Sequence, residues 1–128
     1  MVAETGVSSR SRPQRLNPVS HKIELYRASG HFWLLDASAG GRGNVTFCSG
    51  GTGPEWYIYV RDQGPRLHTI LSKKLGYEGD IPEDDDDLNR SILEMLSEMF
   101  GGRSKNPFSE IERFLTDEGV VWKGDFWS

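Results

Sequence analysis

The chain has 128 residues, a formal net charge of -4 and a sequence pI of about 5.3. That length suits one domain, and the acidic balance argues against nucleic acid as the main partner. The single cysteine, Cys48, excludes an internal disulfide. No stretch approaches the roughly 18 apolar residues of a membrane span, so we expect a cytoplasmic protein with no membrane partner.

The first 20 residues are polar and basic, with Arg10, Arg12 and Arg15 among serines and prolines. A segment of this composition buries too little apolar surface to offset the entropy lost on ordering. We therefore predict a disordered basic tail over residues 1–20, followed by a single α+β domain over residues 21–128. A nucleic-acid-binding arm or a targeting signal is the alternative for this tail, although three spaced arginines form a weak patch.

Four segments rich in β-branched, aromatic and leucine residues follow the tail and are separated by turn residues. Such residues favour strands, and the glycines between the segments permit tight reversals. The pattern predicts a four-stranded antiparallel meander around which the rest of the chain is organised. The predicted strands span residues 22–27, 31–36, 44–48 and 55–61.

A register for this meander follows if each turn is centred in its gap, because side chains alternate between the faces of a sheet. One face then carries Tyr26, Trp33, Leu35, Val45, Phe47, Trp56, Ile58 and Val60. The opposite face carries Ile23, Leu25, Phe32, Leu34, Cys48, Tyr57 and Tyr59. Both faces are apolar in this register, so either helices cover both or one of them meets a partner.

Three segments with apolar residues at helical spacing come after the meander. The first helix is predicted from about residue 65 to residue 75, with Gly76 as its C-terminal cap. The second is capped by the aspartates that precede it and stops at the glycine pair 101–102. The third begins near residues 107–109 and ends at Gly119.

The end of the chain is unusually aromatic. The segment Val120-Val121-Trp122 predicts a fifth strand, which adds to an edge of the meander or pairs elsewhere. Phe126 and Trp127 either dock on the sheet or form part of a partner surface. The predicted fold is therefore α+β, a four- to five-stranded antiparallel meander with three short helices packed mainly on one face.

An acidic run precedes the second helix, with Asp84, Asp85, Asp86 and Asp87 following Glu83. Calcium loops alternate their ligands with turn residues and end in a bidentate glutamate, a spacing that this run lacks. We therefore predict no metal. The aspartates can cap the helix, and five adjacent carboxylates can also meet a basic protein surface or imitate a phosphate backbone.

Two glycine-rich segments, residues 40–44 and 49–53, have the composition of phosphate-binding loops. Neither has the Lys-Ser/Thr ending of a P-loop or lies between a strand and a helix, so hairpin turns are the favoured interpretation and no cofactor is predicted. Arg42, at the tip of the first loop, can contact an anion or a partner.

His31 and Cys48 are the one candidate catalytic pair. If the chain reverses near Gly40, His31 lies close to Cys48 or Ser49, and an imidazole can activate a neighbouring thiol. Neither a third orienting group nor a family signature accompanies the pair, so we predict no catalytic residue. A small enzyme or ligand-binding domain that uses this pair and the glycine-rich loops is kept as an alternative.

The leading hypothesis is a non-enzymatic protein-interaction module. The small acidic chain resembles, in general character only, inhibitor, immunity and anti-restriction proteins, and an adaptor role fits equally. The expected partner is another protein with a basic surface. The predicted partner-binding residues are Arg42, Tyr57, Tyr59, Asp84, Asp85, Asp86, Asp87 and Trp127. A homodimeric structural subunit, paired through a sheet face, is the second alternative.

Overall fold

The computed structural model describes residues 21–28, 33–51 and 53–127. The tail predicted over residues 1–20 lies outside this part of the chain, and so does His31. The elements, in chain order, are β1 (His21–Arg27), β2 (Leu34–Gly40), β3 (Asn44–Gly50), β4 (Glu55–Val60), α1 (Gly64–Leu75), α2 (Asp85–Phe100), α3 (Phe108–Asp117) and β5 (Lys123–Trp127).

The strands form one sheet in the order β1-β2-β3-β4-β5, and every neighbouring pair is antiparallel. The predicted α+β meander is confirmed. All three helices are inserted between β4 and β5, so the chain leaves the sheet, covers one of its faces and returns to add the last strand beside β4.

A single apolar core lies between the sheet and the helices. Phe47 pairs with Ala37 on one side and Ile58 on the other, and all three side chains are fully buried. Leu71 of α1 and Ile92 of α2 pack on the same core. Burial of one large aliphatic or aromatic side chain contributes about 1.5–3 kcal/mol, so this layer is the main source of stability.

The faces that the side chains occupy agree with the prediction in β3 and β4 and depart from it in β1. Ile23 pairs with Ala37 on the core side, and Leu25 is only 2% exposed. Their predicted placement on the opposite face is therefore wrong. The ladder shifts between Glu24 and Tyr26, and a bulge of this kind changes the face that the following side chains occupy.

The side of the sheet away from the core is polar, which corrects the prediction of two apolar faces. We call it the open face. Its side chains, assigned by strand alternation, are Lys22, Glu24, Leu34, Asp36, Ser38, Thr46, Cys48, Glu55, Tyr57, Tyr59, Lys123, Asp125 and Trp127. The error arose at β2, which continues to Gly40 through small and polar residues that resemble a turn.

The predicted capping residues mark the start of α2 and the end of α1, whereas α3 begins after Pro107 without a side-chain cap. Asp84 caps α2, with its carboxylate accepting from the Asp87 backbone N–H. Gly76 ends α1 in the left-handed region with φ of 76°. None of the helices in the described ranges is long and apolar enough to cross a membrane.

The fifth strand begins three residues later than predicted. Gly119 donates its N–H to the Thr116 carbonyl, and Val120 donates its N–H to the Leu115 carbonyl. These two hydrogen bonds are those of a Schellman motif, which ends α3. Val120 is buried at this helix end, so its apolar character reflects the cap and not a strand. Phe126 and Trp127 lie in the strand itself.

Candidate functional site

The acidic run lies where the N-terminus of α2 meets the β2–β3 turn and the start of β1. We call this region, comprising residues 83–87 with His21, Arg42 and Arg90, the acidic corner. The Arg42 guanidinium lies 2.9 Å from an Asp85 oxygen and donates to the Glu83 carbonyl at 3.0 Å. Two of the predicted partner-binding positions are thus paired with each other.

Asp86 is the most enclosed aspartate of the acidic corner. It lies 2.5 Å from His21 Nε2 and 2.7 Å from an Arg90 nitrogen, while Asp87 lies 3.7 Å from Arg90. Three of the five carboxylates of residues 83–87, those of Asp85, Asp86 and Asp87, therefore lie within 3.7 Å of a guanidinium group. The region stays acidic, but much of its charge serves the fold.

Three carboxylates of the acidic corner approach one another closely enough to hold a cation. Oxygens of Asp84, Asp86 and Asp87 all lie within 4.8 Å. Asp84 already caps α2, and Arg90 lies beside the other two. Capping and ion pairing explain the cluster, and the absence of a metal stays a prediction.

Asn89 fixes the acidic corner to the sheet and was missed by the sequence analysis. Its side chain is only 2% exposed, accepts from the Gly43 N–H at 2.6 Å and donates to the Gly41 carbonyl at 2.9 Å. The one available signal was a polar residue within the apolar stripe of α2, because buried amides are normally hydrogen-bonded.

The first glycine-rich segment is a hairpin turn that packs against α1. Gly41 and Gly43 both have positive φ, and a Cβ on Gly43 would lie 2.5 Å from the Gly64 Cα. The hairpin interpretation is confirmed, since β2 and β3 pair antiparallel on either side of this turn. The segment 49–53 joins β3 to β4, and Thr52 lies outside the described residues.

Tyr57 and Tyr59 form a ring pair on the open face. Their centroids are 5.8 Å apart and their planes differ by 2°. The Tyr57 hydroxyl donates to a Glu55 oxygen at 2.7 Å, and the Arg61 guanidinium lies 4.9 Å from the Tyr59 centroid. The strand alternation that put both rings on one face was predicted.

Carboxylates lie beside Tyr57, the first ring of this pair. The ladder places Glu24, Asp36, Cys48, Tyr57 and Asp125 in one row across the five strands, and Glu55 reaches the row through the Tyr57 hydroxyl. Burial raises the pKa of Asp36, and the charges of Glu55 and Glu24 raise it further, while Lys22 at 3.9 Å opposes them. The sequence analysis did not identify this charge cluster because its members are far apart in the chain.

Cys48 occupies the middle of the same row, between Asp36 on β2 and Tyr57 on β4. The residue opposite it on β2 is Asp36 because the chain reverses at Arg42 and not near Gly40. Burial raises the pKa of the thiol, and the neighbouring carboxylates Asp36 and Glu55 add to the rise. These surroundings favour the thiol over the nucleophilic thiolate.

Trp127 lies at the end of β5, opposite Glu55 on β4, and is 62% exposed. Its indole N–H donates to Asp125 at 3.1 Å. The predicted partner-binding residues thus fall on two surfaces. The open face holds Tyr57, Tyr59 and Trp127, and the acidic corner holds Arg42 with the four aspartates.

No family model matches this chain, and neither a curated protein nor a solved structure matches it. Its function is therefore inferred from the geometry and charge of its own residues.

Proposed function

We propose that this protein is a non-enzymatic interaction module that binds a partner protein with a basic surface, and that the open face is the main contact. The observation that carries the proposal is the stacked pair of Tyr57 and Tyr59, with Glu55 at the Tyr57 hydroxyl and Asp125 beside Tyr57 on β5. A partner arginine can lie over a tyrosine ring while its guanidinium reaches a carboxylate.

Contacts within the chain itself illustrate the first half of that recognition. Arg61 lies over the Tyr59 ring and also donates to the Thr46 hydroxyl at 3.0 Å. A cation over an exposed ring contributes about 0.5–1 kcal/mol, and tyrosine and tryptophan are enriched among the residues that dominate binding energy. The ring of Tyr57 has carboxylates beside it in place of an arginine, which favours a cation from the partner.

The raised pKa of Asp36 supports the same assignment. A carboxylate whose ionised form is disfavoured by burial and by neighbouring negative charge gains most when a positive group approaches. We propose that a partner lysine or arginine supplies that charge. The acidic corner would then act at longer range, by steering a basic partner towards the protein.

Such a protein would act as an inhibitor, an immunity protein or an adaptor, in each case by occupying a surface of its partner in the cytoplasm. The surroundings of Cys48 support a role without covalent catalysis, because a neutral thiol flanked by carboxylates is a poor nucleophile. The alternative based on His31 and Cys48 predicts rapid alkylation of the folded protein near neutral pH.

The test is retention of a partner from a lysate of the source organism on the immobilised full chain, identified by mass spectrometry. One variant combines Asp36→Asn with Glu55→Gln. The matched control combines Glu78→Gln with Asp80→Asn, which removes the same charge from the exposed loop between α1 and α2. We expect the first variant to lose the partner and the control to keep it at low salt.

Equal retention by the variant and the control would contradict an open-face contact. A Tyr57→Ala variant separates ring from charge, because it leaves both carboxylates in place. We expect it to weaken retention as well, by removing the ring on which the cation lies.

A further inference from the structure

We propose that β5 pairs antiparallel with β5 of a second copy of this chain, about a two-fold axis at Gly124, so that two five-stranded sheets become one continuous sheet. This pairing uses the edge of the sheet and does not depend on the partner proposed above. It differs from dimerisation through a sheet face, because the strands pair edge to edge and only the β5 end of the open face is covered in the pair.

The backbone of the segment 121–127 is already arranged for such pairing. The Gln63 side chain accepts from the Val121 N–H at 3.0 Å and donates to its carbonyl at 2.6 Å, so that it continues the β4 ladder. The Phe126 N–H donates instead to the Asp125 carboxylate at 2.9 Å. Because backbone groups alternate in an antiparallel ladder, the N–H and C=O groups of Val121 and of its odd-numbered neighbours then point towards β4.

The even-numbered residues therefore direct their N–H and C=O groups away from β4. Within the described ranges no strand lies on that side, because β5 is the last strand in the order. A two-fold axis at Gly124 makes Gly124 face Gly124 and makes Trp122 face Phe126. Each facing pair can exchange both of its backbone hydrogen bonds, as hydrogen-bonded pairs of antiparallel strands do.

The same axis makes the side chains complementary. On the open face, Lys123 of each copy faces Asp125 of the other, and Val121 faces Trp127. These are the closely spaced, non-hydrogen-bonded positions, where cross-strand side chains interact most strongly. Moving the axis by one residue, to Asp125, would instead place two carboxylates opposite each other. Charge therefore selects the register at Gly124.

Exposed apolar side chains are concentrated on this segment. Val121 is 75% exposed, Trp127 62% and Phe126 51%, and these are the three most exposed large apolar residues in the described ranges. In the proposed register each of them gains a large apolar neighbour. A contiguous exposed apolar patch of this kind is typical of an interaction surface.

Two features of the isolated chain fit the incoming side chains. An open groove of about 640 Å³ lies where Trp127 of the second copy would project, and it is lined by Tyr59, Arg61, Asp62, Gln63, Val121, Trp122 and Lys123. On the other side of the sheet, the ring centroids of Trp33 and Trp56 are 5.5 Å apart, and those of Trp56 and Phe126 are 4.9 Å apart. Trp122 of the second copy would extend this row beyond Phe126.

Asp125 has a different set of partners in each state. In the single chain it accepts from the Phe126 N–H and the Trp127 indole, which covers part of the edge. In the pair the Phe126 N–H would bond to the facing strand, and the carboxylate would meet Lys123 of the second copy. Strand pairing must outweigh these internal bonds, and because two chains associate, the fraction of dimer rises with protein concentration.

The test is sedimentation velocity of the full chain over a wide range of concentration. Lys123→Asp and Asp125→Lys each place like charges opposite each other twice, and each should weaken dimerisation about tenfold or more. The double exchange of Lys123→Asp with Asp125→Lys restores both pairs and should recover the wild-type association. Circular dichroism checks that each variant keeps its fold.

A wild-type chain that stays monomeric at every concentration would overturn the proposal. A dimer that is indifferent to the single charge changes, or one that the double exchange fails to rescue, would overturn it too. Retention of a basic partner at the open face is measured separately, so failure here leaves that proposal standing.

Discussion

The two groups of carboxylates in this protein differ in how they are neutralised. In the acidic corner, Asp85 and Asp86 lie within ion-pair distance of Arg42, His21 and Arg90, and Asp84 caps a helix. On the open face, Asp36 is half-buried beside other carboxylates, and the Lys22 ammonium lies 3.9 Å from it. The conspicuous run in the sequence thus serves the fold, and the inconspicuous group is the better candidate for binding.

That difference also changes how binding experiments should be designed. Replacing all four aspartates of residues 84–87 would remove a helix cap and the ion pairs with His21, Arg42 and Arg90 together with the charge. A loss of binding in such a variant would report instability as readily as a lost contact. The pair Asp85→Asn with Asp87→Asn leaves the Asp84 cap and the Asp86 contacts in place, and it removes two charges whose ion pairs are exposed.

The largest effect on stability is expected from a substitution that breaks the attachment of the acidic corner to the sheet. Asn89→Leu removes the partners of the Gly43 N–H and the Gly41 carbonyl inside the fold. Buried polar groups left without partners cost about 1–3 kcal/mol each, so the free energy of unfolding should fall by about 3 kcal/mol. Denaturant unfolding measures the change.

Glu94→Ala, on the exposed side of the same helix, is the matched control and should change stability by less than about 0.5 kcal/mol. If Asn89→Leu lowered the free energy of unfolding as little as this control, the Asn89 hydrogen bonds would not be what holds the β2–β3 turn against α2.

A smaller effect separates the cap from the rest of the acidic run. Asp84→Ala should lower the free energy of unfolding by about 1 kcal/mol, because the first turn of α2 loses its acceptor. Asp87→Asn lies in the same turn and removes the same charge, yet keeps the backbone N–H that Asp84 accepts from. Equal losses in the two variants, measured by thermal unfolding, would mean that helix-dipole charge and not the cap matters here.

The smallest effect has the opposite sign and concerns the open face. The pKa of Asp36 is higher in the folded state than its ordinary value of 3.8, so the folded protein binds its proton more tightly than the unfolded chain does. The Asp36 contribution to stability is therefore largest below pH 3.8, falls as the pH rises through the folded-state pKa and stays low at neutral pH. Asp36→Asn should raise the free energy of unfolding at pH 7, by less than about 1 kcal/mol.

The difference between Asp36→Asn and wild type should shrink as the pH is lowered towards 4, because the wild-type carboxyl becomes neutral as well. A variant that is less stable than wild type at pH 7 would mean that the ionised Asp36 is favourably paired, through Lys22, and would remove the electrostatic reason for a cationic partner.

The helices could be predicted because their signals are local. Apolar residues at helical spacing, Asp84 before α2 and Gly76 after α1 all act within a few residues of the boundary. The prediction of the strands was less complete. The Ala-Ser-Ala-Gly end of β2 has weak strand preference and is held in the sheet by its neighbours, and the bulge at Leu25 changes faces without any local signal.

The candidate site likewise has one part that the local sequence predicts and another that only the fold brings together. Tyr57 and Tyr59 share a face because they are two residues apart in one strand, which a period of two predicts. The cluster of Asp36 with Glu24 and Glu55 depends on the side-by-side pairing of β1, β2, β3 and β4. The hydrogen bonds of Asn89 depend on how α2 packs against a turn 46 residues away. Contacts of that range are set by the fold and not by any nearby residue.

The most direct measurement compares the two surfaces with one partner. Once a partner has been retained and purified, its dissociation constant should be determined by titration calorimetry at low and at high salt. Asp36→Asn with Glu55→Gln is compared with Asp85→Asn with Asp87→Asn, which removes the same charge from the acidic corner. We predict that the open-face pair weakens binding at both salt concentrations, whereas the corner pair weakens it only at low salt. A corner pair that abolishes binding while the open-face pair leaves it intact would contradict the account.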